Sequence, residues 1–158
     1  MIDNLLTQRY PSLFNLPVEG NYQFHEADIL TTDLEPIFDG ADAVLHLAAI
    51  TDATSSFRNR EQVEAVNYEG TVKVAEVCRK LDCPMIHLSS TSVYGTQKEV
   101  VDENCSSQDL KPQSPYAETK LKEENYLRSL GSHGRFRFVI FRCGTICGTS
   151  AGMRFHTA

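Results

Sequence analysis

CPMIHLSSTSVYG, residues 83–95, is an apolar run that stops in small hydroxyl residues and then turns. Its first part, CPMIHLSS (83–90), is too short for a helix and apolar enough to be a buried strand. Working outward, two more runs have this character. ADAVLHLAA (41–49) ends in small residues, and FRFVIFRCG (136–144) ends at Cys-Gly. NYQFHEADI (21–29) is a shorter alternating candidate. Helical patterns lie between them. In EQVEAVNYEGTVKVAEVCRKL (61–81), Val63, Val66, Val74, Val77 and Leu81 recur at helical spacing, with Gly70 near the middle. SPYAETKLKEENYLRSLG (114–131) offers Ser114 as N-cap, Pro115 at the first helical position and Gly131 as terminator. Strand, helix, strand, helix, strand implies parallel pairing through right-handed crossovers, hence a doubly wound α/β sheet. The segment TQKEVVDENCSSQDLKPQ (96–113) is a polar excursion between strand and helix, long enough to suggest a functional loop.

Composition narrows the partners. The 158 residues are 41% hydrophobic and 23% charged, values of a globular domain with a sizeable core. A net charge of −6 argues against a nucleic-acid or anionic-membrane surface. The basic residues Arg135, Arg137 and Arg142 flank an apolar run and read as solvated strand ends. No apolar stretch approaches the roughly 20 residues of a membrane span, and MIDNLLTQ lacks the features of a signal peptide. The five cysteines include Cys143 and Cys147 four apart, without a His or Cys partner set at zinc spacing. Reduced thiols in a cytoplasmic protein are expected, with no metal site. His46 and His87 sit in strand-like runs and suit packing better than metal ligation.

Chemistry gathers at two points. Tyr-x-x-x-Lys occurs twice, at Tyr116–Lys120 and Tyr94–Lys98. Tyr116 and Lys120 lie one helical turn apart on one face, so both can reach one point. Tyr94 precedes Gly95 at a strand exit, where position i+4 has no fixed direction, and Lys98 is set aside. Ser89 and Ser90 stand at the carboxyl end of a parallel strand, where open α/β sheets bind ligands. A phenol of ordinary pKa near 10 is a poor base at neutral pH. A nearby Lys120 ammonium is expected to lower that pKa, with Ser90 holding the substrate oxygen for proton transfer. Either motif alone would more often be a solvated strand end or an exposed helix face; the two in order point to a site.

With these residues the chain resembles the NAD-dependent epimerase/dehydratase family of extended short-chain dehydrogenase/reductases, whose best-known members act on nucleotide sugars. The resemblance runs over essentially the whole sequence. HLAA (46–49) is similar to the strand end beneath the cofactor, implying that Leu47, Ala48 and Ala49 lie along NAD. ADI (27–29) implies Asp28 and Ile29 at the adenine. VNYEGT (66–71) carries Asn67 where the family keeps an asparagine, and MIDNL (1–5) resembles the end of the second strand, implying Asp3 and Asn4 at the adenosine ribose. SSTSVYG and PYAETK supply Ser89, Ser90, Tyr116 and Lys120; the resemblance implies that Ser90, Tyr116 and Lys120 are catalytic, and that Ser89, Tyr116 and Lys120 also line the cofactor.

The departures from the family pattern carry their own expectations. No Gly-x-x-Gly-x-x-Gly loop is present in the sequence, so the sheet is expected to be an incomplete Rossmann-like one without its first strand. Residues 1–148 are expected to form a partial NAD-binding domain and 149–158 the start of a truncated substrate domain. The resemblance further implies a nucleotide sugar as substrate and a homodimeric parent. Dehydratases of the family carry Asp-Glu directly after the catalytic serine or threonine, and related decarboxylases a Glu at the second of these positions. Here these are Thr91 and Ser92, and a hydroxyl is a far weaker acid than a carboxyl group. The resemblance therefore favours a 4-epimerase, with a reductase on a non-nucleotide substrate, or an inactive chain that binds no cofactor, as alternatives. Thr145 stands three residues after Arg142, where family epimerases usually place Asn, which leaves the sugar open.

Overall fold

The computed structural model describes residues 1–8, 10–96, 100–132, 134 and 136–146. Lys98, Arg135, Cys147 and the segment 149–158 lie outside the described residues. Among the described residues five strands form two parallel sheets. β1 (Ile2–Asp3) pairs with β2 (His25–Glu26). β3 (Val44–His46) pairs with β4 (Met85–Ser90), which pairs with β5 (Phe138–Cys143). All pairings are parallel, as the alternation of strands and helices requires. Among the described residues no backbone ladder joins β1 to β3, so the Rossmann-like sheet is incomplete at the expected place. The strand around 21–29 is shorter than its pattern suggested, with only His25 and Glu26 paired.

The helices sit on one face of the larger sheet. α1 is a single turn, Glu35–Phe38. α2 (Arg60–Val63) continues through a π-helical segment (Glu64–Glu69) into α3 (Gly70–Lys80). The regular helix expected over 61–81 is therefore interrupted, and the wider turn brings Asn67, Gly70 and Thr71 onto the buried side. α4 spans Pro115–Ser132. Ser114 caps it as expected, its hydroxyl accepting from the Ala117 amide at 3.1 Å. Gly131 does not end it. The helix runs on to Ser132, and a Cβ at Gly131 would lie 2.6 Å from Phe138, so the glycine serves close packing of α4 on β5.

Leu34, Phe38, Val74, Ala75, Cys78, Met85, Leu127 and Phe136 make the core between sheet and helices. Strand alternation decides what faces it: Met85, His87 and Ser89 point in, whereas Ile86, Leu88 and Ser90 point the other way. On that second face Leu45, Leu47, Val139 and Phe141 are exposed. Burial pushes the Cys78 thiol up to about 12, which keeps it a packing residue. The described cysteines 78, 83, 105 and 143 are free thiols.

Candidate active site

Ser90 ends β4 and caps the 3-10 turn Thr91–Tyr94 that follows. Its Oγ accepts from the Ser92 amide at 3.2 Å and from Ser92 Oγ at 2.8 Å. With both lone pairs engaged, the Ser90 proton is left to donate into the cleft. Ser90 acts on the Tyr116 phenol in the direction that favours the phenolate. Gly95 closes the turn at φ +70°, and a Cβ there would meet the Lys111 carbonyl oxygen at 2.3 Å. Glycine is required on both counts.

Tyr116 enters from the first turn of α4, beside Pro115, with its amide donating to Ser56 Oγ at 3.3 Å. Ser90, at the end of β4, and Tyr116, in the first turn of α4, are thus close enough to interact electrostatically. The phenol, however, is raised above its ordinary pKa. Burial is the main cause and the negative charge of Glu123 the next, with the Ser90 hydrogen bond working against both. The expected lowering by Lys120 is not seen, because the buried Lys120 ammonium is bound to Glu123 Oε2 at 2.9 Å.

Beneath this pair lies a buried polar cluster. Glu123 Oε2 also receives Thr71 Oγ1 at 3.3 Å. His87 Nε2 lies 3.0 Å from the same oxygen, close enough for charge pairing but off the direction of a ring N–H hydrogen bond. His46 stacks on His87 at 5.8 Å and meets Thr71 Oγ1 at 3.1 Å. His46 is pushed down to about 3 by burial first, then by His87 and Lys120, and is neutral. Both histidines are buried, as their sequence settings suggested, but within a hydrogen-bonded cluster.

A second network is built on Glu124. Its carboxylate takes Arg142 Nη2 at 2.7 Å, Arg142 Nε at 2.9 Å and Ser89 Oγ at 2.6 Å. Ser89 thus faces the helix and not the cleft, contrary to its expected place at the cofactor, because it alternates with Ser90 along the strand. Arg142 is not a solvated strand end but the partner of a buried carboxylate and lies over the Tyr94 ring at 4.9 Å. Sequence reasoning missed Glu123 and Glu124. Their signal was present: Ala117, Lys120, Glu124 and Leu127 follow one helical stripe, so charges there are buried ones.

At the other end, Asp3, Asn4 and Asp28 collect at the carboxyl ends of β1 and β2. Asn4 Nδ2 donates to Asp28 Oδ2 at 3.0 Å, and Asp3 Oδ1 accepts the Leu5 amide at 2.6 Å. Ile29 is half-buried and packs its Cδ1 toward Gly70, where an added Cβ would approach to 2.7 Å. Leu47 is exposed, and Ala48 and Ala49 are half-buried after β3. Asn67 is fully buried, with Oδ1 accepting the Ile50 amide at 2.7 Å and Nδ2 donating to the Ile50 carbonyl at 3.0 Å. Both ends of its amide are spent on that loop, so Asn67 shapes the wall after HLAA instead of facing the cleft.

The fold that carries these strand ends has counterparts in known proteins. The model of the NAD dependent epimerase/dehydratase family matches residues 3–158. The chain belongs to this family. The uncharacterised UDP-glucose epimerase YtcB of Bacillus subtilis is 34% identical over 149 residues, which are 92% of this chain and 46% of that protein. The UDP-N-acetylglucosamine 4-epimerase of Methanobrevibacter ruminantium, solved with UDP-N-acetylmuramic acid, is 29% identical with a TM-score of 0.80, covering 89% of this chain and 45% of that one. The UDP-glucuronic acid 4-epimerase of Bacillus cereus, solved with UDP-glucuronic acid and NAD, is 30% identical with a TM-score of 0.77 over 89% of this chain and 46% of that one. The chain spans about half the length of these relatives. The family is NAD-dependent, and NAD is its cofactor. The donor set fits it: exposed carboxylates where β1 and β2 end, small residues after β3, hydroxyls after β4. No helix among the described residues is long and apolar enough to cross a membrane.

Proposed function

We propose that this chain carries the proton-transfer residues of an NAD-dependent 4-epimerase acting on a nucleotide sugar. The observation that carries the reading is Ser90 at the end of β4, facing away from the buried polar cluster, with hydroxyl residues, Thr91 and Ser92, in place of carboxylates beside it and Tyr116 in the first turn of α4. Water elimination needs an acid and a base at the sugar besides the tyrosine; Ser92 instead spends its hydroxyl on Ser90. Asp3 and Asn4 would hold the adenosine ribose, Asp28 the adenine, and Leu47, Ala48 and Ala49 the dinucleotide's approach to β3. Held there, NAD would supply the acceptor and donor of the hydride exchanged with the sugar carbon. Ser90 holds the substrate hydroxyl by donating to its oxygen, and the Tyr116 phenol oxygen takes the hydroxyl proton and gives it back. Proton removal requires the phenolate, so the raised pKa of Tyr116 must fall when the charged nicotinamide and substrate are in place.

The test is incubation of this chain, extended by a glycine-loop strand–helix unit that completes the sheet, with NAD and a set of UDP-sugars, the products being resolved by chromatography. The expected product is the 4-epimer without loss of water; a 4-keto-6-deoxy sugar would overturn the reading. Tyr116→Phe is expected to lower turnover by about 10²–10⁴-fold, while Tyr94→Phe keeps most of it. Equal losses in the two would move the base away from Tyr116.

A further inference from the structure

The buried cluster below Tyr116 contains more charge than proton transfer in the cleft uses. Lys120 and Glu123 lie three residues apart on the buried side of α4, and Glu123 is fully enclosed. Its Oε2 gathers Lys120 from its own helix, His87 from β4 and Thr71 from α3, with His46 of β3 behind them. Its Oε1 and His87 Nδ1 have no hydrogen-bond partner. Lys120 is thus the cation bound closest to this carboxylate, and moving it would leave a buried charge uncompensated. His46 stays neutral and does not replace it.

We propose that Glu123 is a positioning residue that sets the basicity of Tyr116 by holding the Lys120 ammonium on the sheet side of α4. The inference rests on Tyr116 being the base. A cation placed at a phenol favours the phenolate, and a carboxylate disfavours it. Glu123 does both things against the phenolate at once: it engages the cation and adds its own negative field. The direction found for Tyr116 agrees, since after burial the charge of Glu123 raises the phenol, with Cys143 of β5 a smaller cause in the same direction. Catalysis then depends on Glu123 yielding Lys120, or having its charge offset, as the cleft fills.

The experiment is a pH titration of the full chain labelled with ¹³Cζ-tyrosine, the Tyr116 resonance being the one lost in Tyr116→Phe. The wild-type resonance is expected to titrate above the ordinary value of about 10. Glu123→Gln is expected to lower it by about one unit or more, and Lys120→Met to leave it as high or higher. A purely structural role would shift the two variants alike. An unchanged titration in Glu123→Gln overturns the proposal. If that variant does not fold, the double variant Lys120→Met/Glu123→Gln, which removes the buried pair together, is measured against the same criterion. If neither folds, the wild type decides, and a Tyr116 that titrates at or below about 10 overturns the proposal. Turnover in Tyr116→Phe separates the two ideas. Retained turnover fails the assignment of the base, whereas lost turnover with an unshifted Tyr116 titration fails only the role of Glu123.

Discussion

At Ser89 and Ser90, two identical side chains meet different surroundings because strand neighbours point to opposite faces. Ser90 keeps a proton for the cleft; Ser89 gives its own to Glu124. Burial alone would raise the Glu124 carboxyl, but hydrogen bonds from Arg142 and Ser89 outweigh it and hold the group below its usual range. A carboxyl lowered in the folded state contributes stability that is present above its unfolded pKa and lost as pH falls through the folded one. Glu124→Ala should therefore remove about 3–5 kcal/mol at neutral pH and flatten the acid limb of the stability profile, read by urea unfolding at several pH values. A wild-type acid limb in that variant would mean that the Arg142 pair adds nothing. Asp3 bears on a different choice. Its carboxylate would accept from the ribose hydroxyls of NAD and repel the extra phosphate of NADP. NAD is expected to bind more tightly than NADP in competition, with Asp3→Ser narrowing the gap; tighter NADP binding would show that Asp3 is not at the ribose.

Among the elements, α4 joins chemistry to packing. Its first turn carries Tyr116, its buried stripe carries Lys120, Glu123, Glu124 and Leu127, and its last turn lies against β5. Gly131→Ala tests that last contact. Inside an exposed helix the change gains about 1 kcal/mol. Here the new Cβ would press on Phe138 at 2.6 Å, and overpacking costs about 1–3 kcal/mol. A lower melting temperature is expected; a higher one would show that Phe138 moves aside freely. The strand–helix alternation and the capped start of α4 were legible because both are local: apolar runs of strand length, and a serine and a proline ahead of the helix. The π-helical segment was not, since the Asn67 side chain that sits within it binds Ile50, seventeen residues away in sequence. The turn of Lys120 toward Glu123, only three residues on, was hidden for a different reason. Spacing places two side chains on one face but does not say which neighbour a buried ammonium prefers.

For the molecule as a whole, the open places of the sheet decide how this chain behaves by itself. Among the described residues β3 pairs only with β4, and β1 only with β2, so each presents an unpaired edge. In a complete doubly wound sheet of order 3-2-1-4-5-6, a central strand lies between such edges, and its glycine loop cradles the pyrophosphate. The sequence has no such loop. On the sheet face opposite α3 and α4, Leu47 is 59% and Phe141 52% exposed beside Leu45 and Val139, with no described residue covering them. Apolar residues on a contiguous face together with free strand edges favour self-association. The 158-residue chain alone is therefore expected to bind a hydrophobic dye such as ANS, to elute as more than a monomer at high concentration, and to hold NAD only weakly. Ser90 and Tyr116 keep their places at the end of β4 and the start of α4 in it, so the proposed proton-transfer residues would be positioned while the cofactor is poorly retained. Calorimetric titration with NAD checks this directly. Low-micromolar dissociation together with two-state unfolding would mean that another segment of this chain closes the gap between β1 and β3.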